Sequence, residues 1–191
     1  MLTKKLLAPL INDKILHRTE HCYIATACIS ETALDTLMSK VSMKTKVDIV
    51  TGFDLPTHPN VFRKAIDNYR QRVTLRIHTK SFFHANAYVF DLEFRKRVAF
   101  IGSGNFTMGG MLKHDELFYK IDSDKQVEEI KSWHAWYFEN GLDLNEAIIA
   151  EYESLYPTIR ERLSNSMEEK KRFVERIHSG EISSEPRFGF K

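Results

Sequence analysis

The chain is poor in cysteine, which limits how it can be stabilised. Only two of its 191 residues are cysteines, Cys22 and Cys28, too few for a disulfide framework or a cysteine-based metal site. Both fall in one predicted strand with the same parity, which puts them on one face of that strand. We therefore expect two buried free thiols rather than a disulfide or metal ligands.

Long apolar runs are also missing. No segment is long and apolar enough to span a bilayer, and residues 1–5 lack the apolar stretch and cleavage site of a secretory signal. We expect a cytoplasmic protein with no membrane partner. A large charge excess is absent too, because the net charge is +2 and the pI is near 8.4. That balance permits nucleic-acid binding but does not require it.

What is present indicates a globular α/β domain, since 42% of the residues are hydrophobic and 12% aromatic. Predicted strands at 21–29, 46–53 and 73–78 alternate with predicted helices at 31–42 and about 59–70. This order is typical of a sheet with crossover helices. We expect one domain over residues 1–178. Residues 179–191, rich in Gly, Ser and Pro, are predicted to be a tail or a linker to a further domain.

The remaining elements are denser in strands. Strands are predicted at 84–91, 97–105 and 116–121, the first two joined by a hairpin turn. A capping-box pattern at Ser123 then opens a helix to about Asn140, on which His134 shares the apolar face and is expected to be a packed histidine. A first helix at 2–16 and a last helical region kinked or split by Pro157 complete the prediction.

A spaced set of polar residues surrounds two of these strands. His84 and Asn86 share a face of one predicted strand, and Ser103 and Asn105 share a face of the next. The glycines between them leave room for close approach of a ligand, and Glu116 is expected to reach the histidine. A packed histidine and a glycine-rich turn are the plain alternatives, but a turn does not explain polar pairs repeating with strand parity. The pattern predicts a site that brackets one small anion such as a phosphate.

The same residues carry a resemblance to the phospholipase D superfamily. His84, Asn86 and Asp91 are similar to its His-x-Lys-x4-Asp motif, and residues 102–105 to its Gly-Ser-x-Asn motif. Glu116 matches the acidic residue of the single-motif nucleases in that superfamily. The resemblance implies a phospholipase D-like mixed sheet flanked by helices on both faces, in the branch of single-motif nucleases and restriction-endonuclease catalytic domains.

The resemblance also implies a mechanism and an assembly. Two-motif members build one site from both halves, so a single-motif chain is expected to form a homodimer with the site on its twofold axis. The chemistry would need no metal or cofactor: one His84 attacks phosphorus, and the other protonates the leaving oxygen and activates water. Glu116 would orient the imidazole, while Ser103, Asn105 and the family lysine would hold the nonbridging oxygens. Asp91 carries least weight, because it lies on the opposite strand face.

Asn86 is the departure from the family pattern, because it stands where the motif has lysine. It can donate a hydrogen bond but carries no charge, and losing a single donor to a transition state costs about 3–4 kcal/mol. Three explanations stay open. Asn86 is an inactivating change of a natural lysine, or another cation such as Lys80 or Lys113 replaces it, or the domain has lost its chemistry. We favour the first, because the other motif positions are intact.

The leading hypothesis is therefore a metal-independent DNA endonuclease domain, impaired by Asn86. Its expected partners are DNA, a second copy of the chain, and a DNA-recognition or helicase domain or subunit, as in restriction-modification systems. The second hypothesis is a catalytically silent nucleic-acid-binding or dimerisation module of the same fold. The third is a phosphodiesterase or phosphatidyl transferase that acts on lipids or small substrates.

Overall fold

The computed structural model describes residues 2–181 and contains one mixed sheet of eight strands. In chain order the strands are β1 (Leu2–Thr3), β2 (Thr19–Ala25), β3 (Lys46–Thr51), β4 (Val73–Ile77), β5 (Ala87–Leu92), β6 (Lys96–Gly102), β7 (Phe118–Ile121) and β8 (Leu142–Asp143). Their order across the sheet is β1-β7-β6-β5-β2-β3-β4-β8. The helices are α1 (Leu7–Asn12), α2 (Glu31–Lys40), α3 (Pro59–Asp67), α4 (Asp124–Glu139) and α5 (Glu146–His178).

Three parallel strands form one half of the sheet. β2, β3 and β4 run parallel and are connected by the helices α2 and α3, as the predicted alternation of strands and helices implies. Ser30 caps α2 by accepting a hydrogen bond from the Ala33 amide at 3.3 Å, and Pro59 occupies the first turn of α3. The predicted α/β fold with a mixed sheet flanked by helices is confirmed.

An antiparallel hairpin forms the half of the sheet that matters for function. β5 pairs with β6 from Ala87 opposite Ile101 to Leu92 opposite Lys96, as the sequence predicts. Its tight turn places Phe94 at a φ of 62°. Because the strands are antiparallel, the residues before β5 lie beside the residues after β6. Residues 84–86 and 102–105 therefore meet at one end of the sheet.

Other boundaries differ from the prediction. The predicted helix at 2–16 is instead the edge strand β1, paired with β7, followed by the short α1. The last helix is not split at Pro157 but continues through it. Ser123 precedes α4 as predicted but makes no side-chain capping bond.

The two cysteines are free thiols, as predicted. The shared strand is wrong, however, because β2 ends at Ala25 and Cys28 lies half-buried beyond it. Burial raises the pKa of both thiols.

The chain divides into two compact units, residues 1–152 and 153–191. The first contains the sheet, α1 to α4 and the start of α5, where Ile149 and Tyr152 are buried. The described part of the second unit is the remainder of α5, which has exposed apolar side chains such as Leu155 and Met167. The predicted tail at 179–191 lies, from residue 182 onward, outside the described residues.

His134 fixes α4 to the sheet. Its side chain is buried, its Nε2 donates to the Ile24 carbonyl at 3.2 Å, and its ring meets Tyr23 edge-on. This confirms the packed histidine. Burial lowers the pKa of His134, because a protonated imidazole loses hydration there.

Acid is expected to destabilise the protein partly through His134. The unfolded chain binds a proton below about pH 6.5, which the folded state resists because the folded pKa is lowered. The stability that the neutral, buried His134 contributes is complete above about pH 6.5, and it is lost as the pH falls through the lowered pKa of the folded state. In urea unfolding at several pH values, His134→Gln should lose stability less steeply with acid than the wild type, because glutamine cannot be protonated in this range. Its amide can still donate to the Ile24 carbonyl, so the hydrogen bond is kept. An unchanged slope in His134→Gln contradicts this account, and the exposed His17→Gln is the matched control.

Candidate active site

An open groove of about 500 Å³ lies where the start of β5 meets the end of β6. Three predicted site residues line it, namely His84, Asn86 and Ser103. The other lining residues are apolar or small: Leu2, Ala85, Ile101, Gly102, Leu117 and Tyr119. The hairpin thus brings the two parts of the sequence motif to one surface.

His84 lies on a loop and not on a strand, which differs from the prediction. β5 begins only at Ala87, so strand parity does not set the direction of the His84 side chain. The imidazole is exposed and stacks on the exposed Phe82, with 5.7 Å between ring centroids and 11° between planes. The loop is anchored beside it, because Phe83 is buried and its amide donates to Asp54 Oδ2 at 2.8 Å. His84 is accordingly an accessible imidazole on a fixed loop.

Asn86 is buried, and both polar atoms of its side-chain amide are hydrogen-bonded within the protein. Its Oδ1 accepts from the Thr26 hydroxyl at 2.9 Å, and its Nδ2 donates to the Ser103 carbonyl at 3.1 Å. Only 7% of the residue is exposed. Asn86 therefore ties the end of β2 to the turn after β6. Thr26 has no place in the motif, and a buried threonine after a strand gives no sequence signal of this contact.

Ser103 and Glu116 form a direct pair. The Ser103 hydroxyl donates to Glu116 Oε2 at 2.5 Å and accepts from the Leu117 amide at 3.1 Å. The other carboxylate oxygen, Oε1, lies 3.9 Å from Nδ1 of His114. Within residues 2–181, Glu116 thus contacts Ser103 and His114, whereas the sequence suggested His84 as its partner. Glu116 also precedes β7, which starts at Phe118.

Asn105 closes the second part of the motif. Its Oδ1 is buried without a hydrogen-bond partner among the described residues. The backbone around it is tightly packed, because a Cβ added to Gly110 would lie 2.5 Å from the Asn105 carbonyl oxygen. The next amide, that of Phe106, donates to the Thr26 hydroxyl at 2.9 Å. Thr26 therefore contacts both parts of the motif.

The motif glycines serve internal packing, although ligand approach was the expected reason. A Cβ on Gly102 would lie 2.2 Å from the Leu117 carbonyl oxygen, and one on Gly104 would lie 2.4 Å from the Phe118 ring. Beneath them the buried Tyr88 donates its hydroxyl to the Gly104 carbonyl at 2.7 Å, and burial raises the pKa of Tyr88. The 102–105 turn is thus held from below by aromatic side chains.

Asp91 belongs to a separate ion cluster. Its carboxylate contacts Lys131 at 2.5 Å, the Tyr23 hydroxyl at 3.2 Å and Arg97 at 3.5 Å. Desolvation by burial opposes the charge of Lys131, but the Asp91 carboxylate outweighs it and raises the pKa of Lys131. Asp91 therefore joins α4 to the hairpin and does not line the groove.

The groove lacks a strong cation. None of the described residues that line it is a lysine or an arginine. Lys80 lines a different cavity of about 280 Å³ with His78 and Ser81. Lys113 ends a π-helical turn, and its carbonyl accepts a hydrogen bond from Lys5 Nζ at 3.0 Å.

Two further observations concern metal-binding groups and membrane-spanning helices. Within residues 2–181, no group of three or more His, Cys, Asp or Glu side chains is arranged to hold a metal ion. No helix in the same range is long and apolar enough to cross a membrane.

A mixed α/β sheet that presents a histidine and a Gly-Ser-x-Asn turn at one end defines the class of phospholipase D-like domains. Residues 11–138 match the family model described as cardiolipin synthase, PLD-like domain. This is more than half of the chain, and the protein belongs to that family. No curated protein matches it.

Solved structures support the same fold at low sequence identity. Nuc from Salmonella typhimurium, a phospholipase D family member, aligns with a TM-score of 0.57 at 16% identity, over 73% of this chain and 91% of that one. NucT from Helicobacter pylori gives 0.56 at 16% identity, with the same coverage. The archaeal chromatin protein TrmBL2 gives 0.52 at 15% identity, over 75% of this chain and 54% of that one. The family match confirms the predicted superfamily, and these structures confirm the predicted fold.

Proposed function

We propose that this domain is a DNA phosphodiesterase of the phospholipase D type, which works without metal through a phosphohistidine in a site shared by two copies. The observation that carries the proposal is the groove in which an exposed His84 and the Glu116-bound Ser103 line one surface. An accessible imidazole beside a serine hydroxyl suits attack on a phosphodiester. The archaeal chromatin protein TrmBL2, a DNA-binding protein of similar fold, favours DNA as the substrate.

In the proposed reaction, His84 of one copy attacks phosphorus, and an N–P bond forms while the P–O bond to the leaving group breaks. His84 of the second copy gives its proton to the leaving oxygen and then takes a proton from water. The water oxygen attacks phosphorus and releases the first His84. Ser103 donates to a nonbridging oxygen, which it can do only when its hydroxyl leaves Glu116. The family resemblance gives Asn105 the same role, although Asn105 is not among the residues that line the groove.

The apolar walls of the groove support a homodimer. Leu2, Ile101, Leu117 and Tyr119 line it and are 62%, 39%, 55% and 50% exposed. Contiguous exposed apolar side chains around a polar site are typical of an interface. A second copy that covers this surface would bury them and bring two His84 side chains to one phosphate.

Leu117→Asp is expected to weaken dimerisation by about tenfold or more, because a carboxylate at the interface would lose its hydration. Sedimentation equilibrium at micromolar concentration should find the wild type dimeric and the variant largely monomeric. The matched control is Phe94→Asp, since Phe94 is 84% exposed at the other end of the hairpin and should stay dimeric. A monomeric wild type, or a dimer indifferent to Leu117→Asp, argues against the shared site.

A second candidate is a catalytically silent DNA-binding or assembly module. The observation that favours it is Asn86, whose amide is hydrogen-bonded to Thr26 and Ser103 and supplies no charge to the groove. This candidate predicts salt-dependent DNA binding without cleavage, even after lysine is restored at position 86. Cleavage of a phosphatidyl substrate with none of DNA would instead favour the lipid hypothesis.

The proposed wider context is a restriction-modification assembly, in which a DNA-recognition or helicase domain or subunit accompanies this domain. It rests on the resemblance to single-motif nucleases. Copurification of the protein with a DNA-recognition or helicase subunit tests it.

A further inference from the structure

A third ionisable side chain adjoins the Ser103–Glu116 pair. Nδ1 of His114 lies 3.9 Å from Glu116 Oε1, while Glu116 Oε2 accepts the Ser103 hydroxyl at 2.5 Å. Glu116 thus stands between a serine that lines the groove and a histidine outside it. The two-residue spacing from Glu116 is the only sequence signal of His114, which belongs to neither part of the motif.

Two contacts fix the His114 backbone and one restricts its ring, although the side chain is 69% exposed. Its amide donates to the Gly109 carbonyl at 2.8 Å, and its own carbonyl accepts from Lys5 Nζ at 2.6 Å. Its ring lies against the bare face of Gly109, where an added Cβ would come within 2.5 Å of Cε1. A freely solvated surface histidine would need none of these contacts. The ring is therefore held beside the carboxylate.

The Ser103 hydroxyl has one proton, and Glu116 holds it. While this bond persists, Ser103 cannot donate to a phosphate, and the Glu116 charge repels an anion in the groove. With Asn86 in place of lysine, no cation among the groove-lining described residues offsets that charge. An anion can bind well only if the Glu116 carboxylate is drawn away from Ser103.

We propose that His114 is a positioning residue that, when protonated, draws Glu116 toward itself and frees the Ser103 hydroxyl for a phosphate group. The proposal rests on the phosphate site proposed above. Imidazole is the side chain whose charge ordinarily changes between pH 5 and 8, so anion binding should be stronger in mild acid. The charged groups that face His114 are Glu116, Lys5 Nζ at its carbonyl, and the neighbouring Lys113 and Asp115. His84 also lies in the groove and is common to every variant below.

The test measures binding of inorganic sulfate, whose charge does not change near neutral pH, by NMR shifts of the His84 ring at about pH 6 and pH 8. His114→Gln should weaken binding at the lower pH on the order of fivefold and should reduce the pH dependence. His114→Lys should restore binding at both pH values. His17→Gln, at an exposed histidine in another cavity, should behave as the wild type.

A double variant separates positioning from general surface charge. If His114 acts through Glu116, adding Glu116→Gln should abolish the effect of His114→Gln, because no charged carboxylate remains to be moved. Gly109→Ala should displace the His114 ring without removing it, and it should therefore weaken sulfate binding as His114→Gln does. Equal sulfate affinity in the wild type and His114→Gln overturns the proposal, as does persistence of the effect in the Glu116→Gln background. If sulfate perturbs His84 in no variant, the phosphate site itself is wrong.

Discussion

Asn86→Lys is expected to nick supercoiled plasmid in EDTA roughly 100-fold faster than the wild type. Removing one donor to a developing negative charge typically costs about 10²–10³ in rate, and each shared site would regain two cations. An ammonium group can also donate to the two oxygen atoms that Asn86 contacts, those of Thr26 and Ser103. The measurement is the first-order rate of nicking at several pH values.

Two controls accompany the lysine variant. Asn86→Gln is larger than asparagine but neutral, and it should remain as slow as the wild type. Thermal melting and sedimentation should confirm that each variant is folded and dimeric, since losing a buried hydrogen-bond partner costs about 1–3 kcal/mol. A folded, dimeric Asn86→Lys protein that stays inert at every pH favours the silent module.

His84→Gln in the Asn86→Lys background is expected to lower the nicking rate by a factor on the order of 10³ or more. The dimer would lose both the nucleophile, which is His84 of one copy, and the proton donor, which is His84 of the other. DNA affinity should change little, because the phosphate backbone is bound chiefly through charge. Rates come from the nicking assay and affinities from fluorescence anisotropy at fixed salt.

A heterodimer sharpens this prediction. A dimer that carries His84→Gln in only one of its two copies should be nearly as slow as the doubly changed dimer, because attack and protonation need both imidazoles. His17→Gln serves as the histidine control and should keep full activity. Half of the full rate in the heterodimer would show that each copy works alone, which contradicts the shared site.

The sequence predicts the sheet well because its strands have local signals. The parallel strands are apolar, β-favouring runs, and the β5–β6 hairpin joins two such runs through a short turn. β1 could not be predicted, because two residues carry no periodicity and its pairing with β7 is a long-range contact. The loop position of His84 was missed for a related reason, since the β-favouring run continues through residues that the fold leaves unpaired.

The side-chain partners within the site were less predictable than its members. The motif gives His84, Ser103 and Glu116, but the pairing of Glu116 with Ser103 and His114 depends on a turn geometry that no spacing encodes. From the sequence, Asn86 is notable only because it stands where the family motif has lysine. In the fold it is also a bridge between Thr26 and Ser103, so its exchange alters both charge and packing.

The most direct test of the account is to trap the covalent intermediate. The Asn86→Lys protein is mixed with end-labelled DNA in EDTA, quenched in alkali, and digested for mass spectrometry. The account predicts label on His84 through a bond that survives alkali and is lost in acid, and no label in the His84→Gln variant. DNA cleavage without a phosphohistidine, or with label on another residue, would contradict the proposed chemistry.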